Sequence, residues 1–522
     1  MRRPTSLTQP PFYVLAAILL AVFLVTRLPF FWYYPRVELS LDSDGYLDIV
    51  NTMREGRWPH FIFRTPGYPL FVWIITACVD RWLFVIFIQN LLSFLSSLCL
   101  VYALHRSWRP LALPAALAMC GFLGSSQVLI YDISLLSDSL YTSIVILIVA
   151  SIFIAFGRGR PVHFGLASSL MASAILVRPA GMYLVVIYAV VAGYLLWNRY
   201  RRSAVLGFMA PFPAILLVFC TYNRLTIGRF TISPFAEANL AGATALFWET
   251  DPRLPEQANR ALLGLPDSYR KLGITQEELE TVRTSWDPDR LFSIYAKAYN
   301  RLIWSAGWGS GTKFGGGGYL QTRTYIRDVS IIAIRRHPDL YAKYVLVNMV
   351  MFFEGISYKF DVYASLNYRV RGKLPSDARA YELDGAGEHP ALSQAASVQA
   401  AGGREDVPLA ERLLKKLLLA WQSFHGVIFQ SMFWTWAYFA ALALSAAQLV
   451  RFHGRHLGAF LLFVLTLIPL GASLVVCLVE TATDRYSYPT QFICYLCLAL
   501  APLLWSSAGK GNGAAGPGPS AD

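Results

Sequence analysis

Apolar runs separated by short basic clusters dominate this chain. Runs at about 12–33, 82–103, 111–131, 140–156, 164–177, 180–197, 204–222, 428–450, 457–479 and 488–504 carry few charges. Crossing a bilayer takes about 20 apolar residues in a helix, and a spanning helix satisfies all of its backbone hydrogen bonds internally. The pattern therefore predicts an all-α polytopic membrane protein. The runs 164–177 and 180–197 read as a helical hairpin with Arg178-Pro179 at its tip, because proline cannot continue the hydrogen-bond ladder. An amphipathic helix is expected from the Asp-Ser-Asp segment after the first run to about Arg54, with Asp or Ser as its N-cap.

Sidedness follows from the basic clusters. Arg2-Arg3, His105-Arg106 with Arg109, Arg158-Gly159-Arg160, Arg199 with Arg201-Arg202, and Arg451 with Arg455 recur between runs. Placed on the cytoplasmic side by the positive-inside rule, they put Asp42, Asp44, Arg64, Asp138, Arg178, Glu480, Asp484 and Arg485 together on the outer face. Two polar regions, 223–338 and 358–412, fall on that same side. The apolar stretch 340–355 leaves the parity of crossings open: it lies at the interface, re-enters, or crosses with a partner helix near 413–424.

Composition agrees with a membrane protein. Of 522 residues, 55% are hydrophobic and 15% charged, against about 25% charged in soluble domains. The net charge of +13 is explained first by positive-inside loops and second by anionic headgroups. The basic residues are scattered between spans, so nucleic acid is not an expected partner. The seven cysteines form no disulfide framework, and Cys494 and Cys497 read as small hydrophobes within an apolar helix. The first run is too long for a signal peptide and no small-residue cleavage site follows it. The Gly/Ala/Pro/Ser tail 509–522 has a disordered composition.

The chemistry sits at the borders of the spans. Asp42-Ser43-Asp44-Gly45-Tyr46 places two carboxylates at the mouth of a span, where a charge must be solvated, paired or used. Helix capping accounts for one of them. A calcium loop fails, since Gly45 stands at loop position four instead of six. Arg64, Arg178 and Arg485 lie at outer span ends, where arginines often snorkel to the interface, but where their planar forks also suit phosphate oxygens. Tyr46 and Tyr68 read either as an aromatic belt or as stacking surfaces for sugar. The segment from Gly307 to Lys313 lacks the Walker order and, with Gly315 to Gly318, reads as a flexible lid or acceptor loop. Glu354 is unusual in an apolar run, and faces a cavity or marks an interfacial helix.

In chain order these motifs resemble a known family. They are Asp42 to Tyr46, Arg64-Thr65-Pro66-Gly67-Tyr68-Pro69-Leu70, Leu136-Ser137-Asp138, Leu176-Val177-Arg178-Pro179-Ala180-Gly181, His337-Pro338, and Asp484-Arg485-Tyr486-Ser487-Tyr488-Pro489. The set resembles the GT-C superfamily of polyprenyl-phosphate-dependent glycosyltransferases, nearest to the protein O-mannosyltransferase and aminoarabinose-transferase branches. The resemblance covers the first 240 residues or so well, the last two spans moderately and the middle weakly.

The resemblance implies a GT-C-type helical bundle with extracytoplasmic loops and juxtamembrane helices. It divides the chain into an N-terminal transmembrane catalytic module (1–222), an extracytoplasmic loop region with interfacial or membrane helices (223–427), C-terminal transmembrane helices (428–506) and a tail (507–522). It also implies Asp42, Asp44 and Asp138 as catalytic acids. Many members carry Asp-Glu where this chain has Asp-Ser-Asp, so the base is left between Asp42 and Asp44, with Asp132, an apparent interfacial cap, as fallback for Asp138. Arg64, Tyr46, Tyr68, Arg178, Arg485 and Tyr486 are the implied substrate-binding residues. The implied partners are a polyprenyl-phosphate sugar donor, a lipid, glycan or protein acceptor, and membrane lipids, with the active site on the outer face of a bacterial inner membrane. Some branches use a divalent metal and the nearer ones do not, so a metal is left unassigned. A lipid or polysaccharide transporter or flippase is the alternative, since acids and arginines along a groove would serve that too.

Overall fold

A computed structural model describes residues 9–33, 37, 39, 41–233, 235–305, 307–308, 312–314, 319–355, 416, 420, 424–425, 427–429, 431–479 and 484–504. Among the described residues there are helices and no β-strand. Among the same residues seven helices are long and apolar enough to cross a membrane, or eight if one bent pair counts as a single span.

The N-terminal part runs α1 (Phe12–Tyr33), α2 (Leu41–Arg54), α3 (Gly67–Cys78), α4 (Trp82–Ser107), α5 (Ala112–Leu123), α6 (Ser126–Ile133), α7 (Ser137–Arg158), α8 (Pro161–Val177), α9 (Leu184–Trp197), α10 (Arg202–Met209) and α11 (Pro211–Ile227). The Asp-Ser-Asp segment opens α2 as expected, and α2 ends at Arg54. Pro179 stops α8, and the 3₁₀ turn Pro179–Tyr183 reverses the chain into α9. α7 ends in a left-handed turn at Gly159 (φ 67°), a conformation that a side chain would strain.

One expected span differs. The run 111–131 does not form a straight helix; it breaks after α5 at Gly124-Ser125, and α6 turns away by 63°. The fifth run forms a shorter apolar helix, Pro161–Val177.

The middle region folds as α12 (Ala236–Thr244), α13 (Glu256–Leu263), α14 (Leu265–Lys271), α15 (Gln276–Thr284), α16 (Pro288–Lys297), α17 (Tyr319–Arg336) and α18 (Pro338–Gly355). These helices bury a hydrophobic cluster of their own, separate from that of the membrane helices. Local rules build them. Thr275 and Glu278 form a capping box at the start of α15, and Asp287 caps α16. Trp308, expected in a flexible lid, is buried edge-on against Trp248 and Phe314 at 5.9 and 5.5 Å. Most of the glycines around it lie outside the described residues.

The chain returns as α19 (Met432–Arg451), α20 (Leu457–Val479) and α21 (Asp484–Leu500). α18 runs beside α20. The Tyr341 hydroxyl donates to Leu478 O at one end (2.6 Å), and at the other Phe353 stacks on Tyr438, whose hydroxyl donates to Thr466 O. α18 therefore lies along α20 from its C-terminal end toward its middle; the partner stretch near 413–424 falls largely outside the described residues.

Candidate functional site

The site grows from helix ends that meet at one end of the bundle. Asp42 and Asp44 occupy the first turn of α2, and Asp138 the first turn of α7. Unpaired N–H groups and the helix dipole favour a carboxylate there. Arg178 follows the last residue of α8, where the dipole favours a cation. α7 begins where the antiparallel α8 ends, so each helix presents its matching charge at the same level.

Two carboxylate–arginine pairs result. Arg64 Nη2 lies 2.5 Å from Asp42 Oδ1, and both side chains are partly exposed, at 25% and 33%. Arg178 pairs with Asp138, and both are buried. The Arg178 guanidinium stands 4.7 Å over the Tyr486 ring, and that of Arg64 stands 5.0 Å over Tyr46. Cation–π contacts of this kind fix an arginine's plane while leaving its edges for other partners.

Short contacts hold the two pairs together. The Ser43 hydroxyl donates to Leu135 O (2.9 Å), and the Tyr46 hydroxyl shares a hydrogen bond with Ser137 Oγ (2.9 Å). The residue next to each carboxylate is thus tied to the turn that carries the other. Gly67 lets α3 close on the end of α8, since a Cβ there would sit 2.7 Å from the Leu176 carbonyl oxygen. A Cβ on Gly45 would sit 3.3 Å from Arg64 Nε, so this glycine leaves room for the guanidinium beside α2.

The geometry separates the two acids of α2. Asp42 and Tyr46 are four residues apart and share a helix face, and that face meets Arg64. Asp44, midway between them, points the other way and is exposed. Tyr46 and Tyr68 are not an aromatic belt. They pack edge-on at 4.8 Å inside the protein. Tyr68 is fully buried, and its hydroxyl donates to Gln89 Oε1 at 2.7 Å. It supports Tyr46 from behind instead of meeting a sugar, because α2 and α3 pack against the bundle and turn their aromatic faces inward. Arg485 lies in the first turn of α21, with its side chain outside the described residues, as is Glu480.

Asp132 departs most from expectation. It is no interfacial cap, because the bend between α5 and α6 folds it into the interior. There Arg27 Nη2 meets Asp132 Oδ2 at 2.9 Å, and Ser93 and Ser139 donate to Oδ1 at 2.7 and 2.6 Å. The other Arg27 donors reach Asn90 Oδ1, Thr26 Oγ1 and Leu123 O. Gln89 donates to Asp132 O and Ser134 O. This network braces the 132–137 turn that presents Asp138. A readable sign was present: Gln89, Asn90, Ser93, Ser96 and Ser97 form a polar stripe at helical spacing on the otherwise apolar α4, and Arg27 interrupts the first span.

The two described acid–arginine pairs already occupy one another. Asp42 and Asp138 each face an arginine, and among the described residues no three His, Cys, Asp or Glu side chains converge to hold an ion. Outside the spans, two carboxyls are held below their usual range. The Arg253 side chain and backbone N–H lower Asp251. Burial pushes Glu278 up, but the Thr275 N–H and the Lys297 ammonium outweigh it.

Fold and site together define a polytopic helical membrane protein with paired acids and arginines at one end of its bundle. No family model matches the chain, and no curated protein does. Among solved structures it is similar to the crystal structure of ArnT from Cupriavidus metallidurans bound to undecaprenyl phosphate. The identity is 13%, over 92% of this chain and 77% of that one, with a TM-score of 0.31.

Proposed function

We propose that the chain is an inverting glycosyltransferase that moves a sugar from a polyprenyl-phosphate donor to an acceptor hydroxyl or amine on the outer membrane face. One observation carries this reading. A carboxylate one-third exposed, Asp42, sits against an arginine at the same bundle end as a buried carboxylate–arginine–tyrosine cluster. Asp42 is the general base. It takes the acceptor proton as the acceptor oxygen (or nitrogen) bonds to C1 and the C1–O bond to phosphate breaks, its electron pair leaving with the phosphate. A positioned base of this kind is worth about 10² to 10⁴ in rate.

Arg64, a quarter exposed, meets the charge gathering on the phosphate, where a preorganised cation acts most strongly. Asp138 orients Arg178, and Tyr486 fixes its plane. The extracytoplasmic placement rests on the basic clusters and on the concentration of ionisable pairs at the opposite end. The test feeds membranes containing the protein with a panel of radiolabelled polyprenyl-phosphate sugars and native envelope acceptors. Transfer from one of them, with inversion at C1, is expected. No transfer from any, with lipid-linked substrate instead appearing across the bilayer, would replace this reading with transport.

A further inference from the structure

α11 ends in a turn that makes a basic cleft. Gly228 (φ 72°) breaks the helix, and Asn223 Nδ2 donates to Thr231 O at 2.7 Å, folding the following segment back over the helix end. Arg229 returns beside Arg224, whose Nη1 donates to Gly228 O at 2.6 Å. Across the gap α17 supplies Arg323. The cleft, about 470 Å³, is lined by these three arginines with Thr231, Ser233 and Glu237. Glu237 is already engaged, lying 3.3 Å from Arg323 Nη1 and accepting the Tyr319 hydroxyl at 3.3 Å. Arg323 Nε is buried with no hydrogen-bond partner among the described residues. Among the described residues the cleft sets three arginines against one carboxylate, with hydroxyl donors beside them.

The flank of the cleft is apolar. Val218 and Leu225, seven residues apart on one face of α11, are 73% and 80% exposed, and Phe230 at the cleft's edge is exposed as well. A membrane-spanning helix turns such a face to hydrocarbon. Snorkelling explains one arginine at a helix end. It does not explain a second brought back by a turn and a third supplied by another helix.

We propose that this cleft is a binding site for the phosphate of a negatively charged membrane lipid, with its chains along the Val218–Leu225 face. The cleft's lining shares no residue with the Asp42 group, and Phe63, next to Arg64, packs on Phe235 and Tyr319 at 5.2 and 5.6 Å. The inference does not depend on the transferase reading.

Native mass spectrometry of the full-length protein in detergent tests it, with phosphatidylglycerol, a polyprenyl phosphate, phosphatidylcholine and inorganic phosphate as separate probes. Wild type is expected to retain one anionic lipid. Arg224→Gln/Arg229→Gln should lose at least about tenfold in retention, equivalent to roughly 1.4 kcal/mol. The charge-matched Arg201→Gln/Arg202→Gln, at the other end of α10–α11, should match wild type. Arg229→Gln alone, a change at an exposed residue beyond the helix, should lose part of the retention and serves if the double variant fails to fold. A polyprenyl phosphate retained over phosphatidylglycerol, or the reverse, names the lipid within the proposal. Equal retention by wild type and both cleft variants, phosphatidylcholine held as well as the anionic lipids, or displacement of the lipid by millimolar inorganic phosphate would overturn it.

Discussion

Two arginine–carboxylate pairs of this fold differ in how far they are enclosed. Arg27–Asp132 is buried on every side, and donors from Ser93 and Ser139 meet the second oxygen of its carboxylate. Arg64–Asp42 has the same chemistry but keeps a quarter to a third of each side chain open. A buried charge whose partners are all internal braces the structure. In the proposed function, the pair that keeps an open side is the one placed to meet a substrate. Residue type does not distinguish the two; the open face does.

The comparison is broken most severely by removing one carboxylate at a time. Asp42→Asn should lower sugar transfer by about 10² to 10⁴ and leave the melting temperature in detergent unchanged; a fall in melting temperature matching the loss of transfer would make Asp42 a structural residue. Asp132→Ala strands Arg27 in the interior and should cost roughly 3–5 kcal/mol, read as poor accumulation and early melting. Arg27→Met/Asp132→Leu should recover much of that loss, and failure to do so would mean the pair does more than brace.

Smaller changes sharpen the boundary. Gly67→Ala forces a Cβ against the Leu176 backbone and should cost about 1–3 kcal/mol, seen as lowered melting with a proportionate fall in transfer; an unchanged midpoint would mean that α3 and α8 pack less closely. The smallest effect concerns the outer helices. Asp251 and Glu278 have folded-state pKa values below their unfolded ones, so their contribution is present above the unfolded carboxylate range and is lost as pH falls below about 4. Limited proteolysis of 236–336 should accelerate between pH 5 and 3 (an order-of-magnitude window set by the same carboxylate values). Flat kinetics across that interval would contradict the assignment.

Much of the fold was legible in the sequence because lipid leaves few choices. The run 457–479 became Leu457–Val479, and the break at Pro179 fell where proline dictates. The bend after α5 was not legible: Gly124-Ser125 is too ordinary a pair in an apolar run to mark a 63° turn, and Asp132 was therefore misplaced at the rim. At the site, the acids and arginines were readable as types at span ends. Their pairing was not, because which arginine meets which acid depends on α3 docking on α8 and on the α2 register. Helical spacing alone separates Asp42 from Asp44, once the face that meets Arg64 is known. A tyrosine beside Pro and Gly at a span end resembles the aromatic belt, and only packing turns Tyr68 inward.

The most direct test of the central claim is transfer rate per folded molecule, measured side by side for Asp42→Asn and Asp132→Asn in the same membranes. Asp42→Asn is expected to be folded and inactive, and whatever Asp132→Asn loses in yield, its folded fraction should still transfer sugar. A folded Asp42→Asn protein with wild-type transfer would contradict that claim.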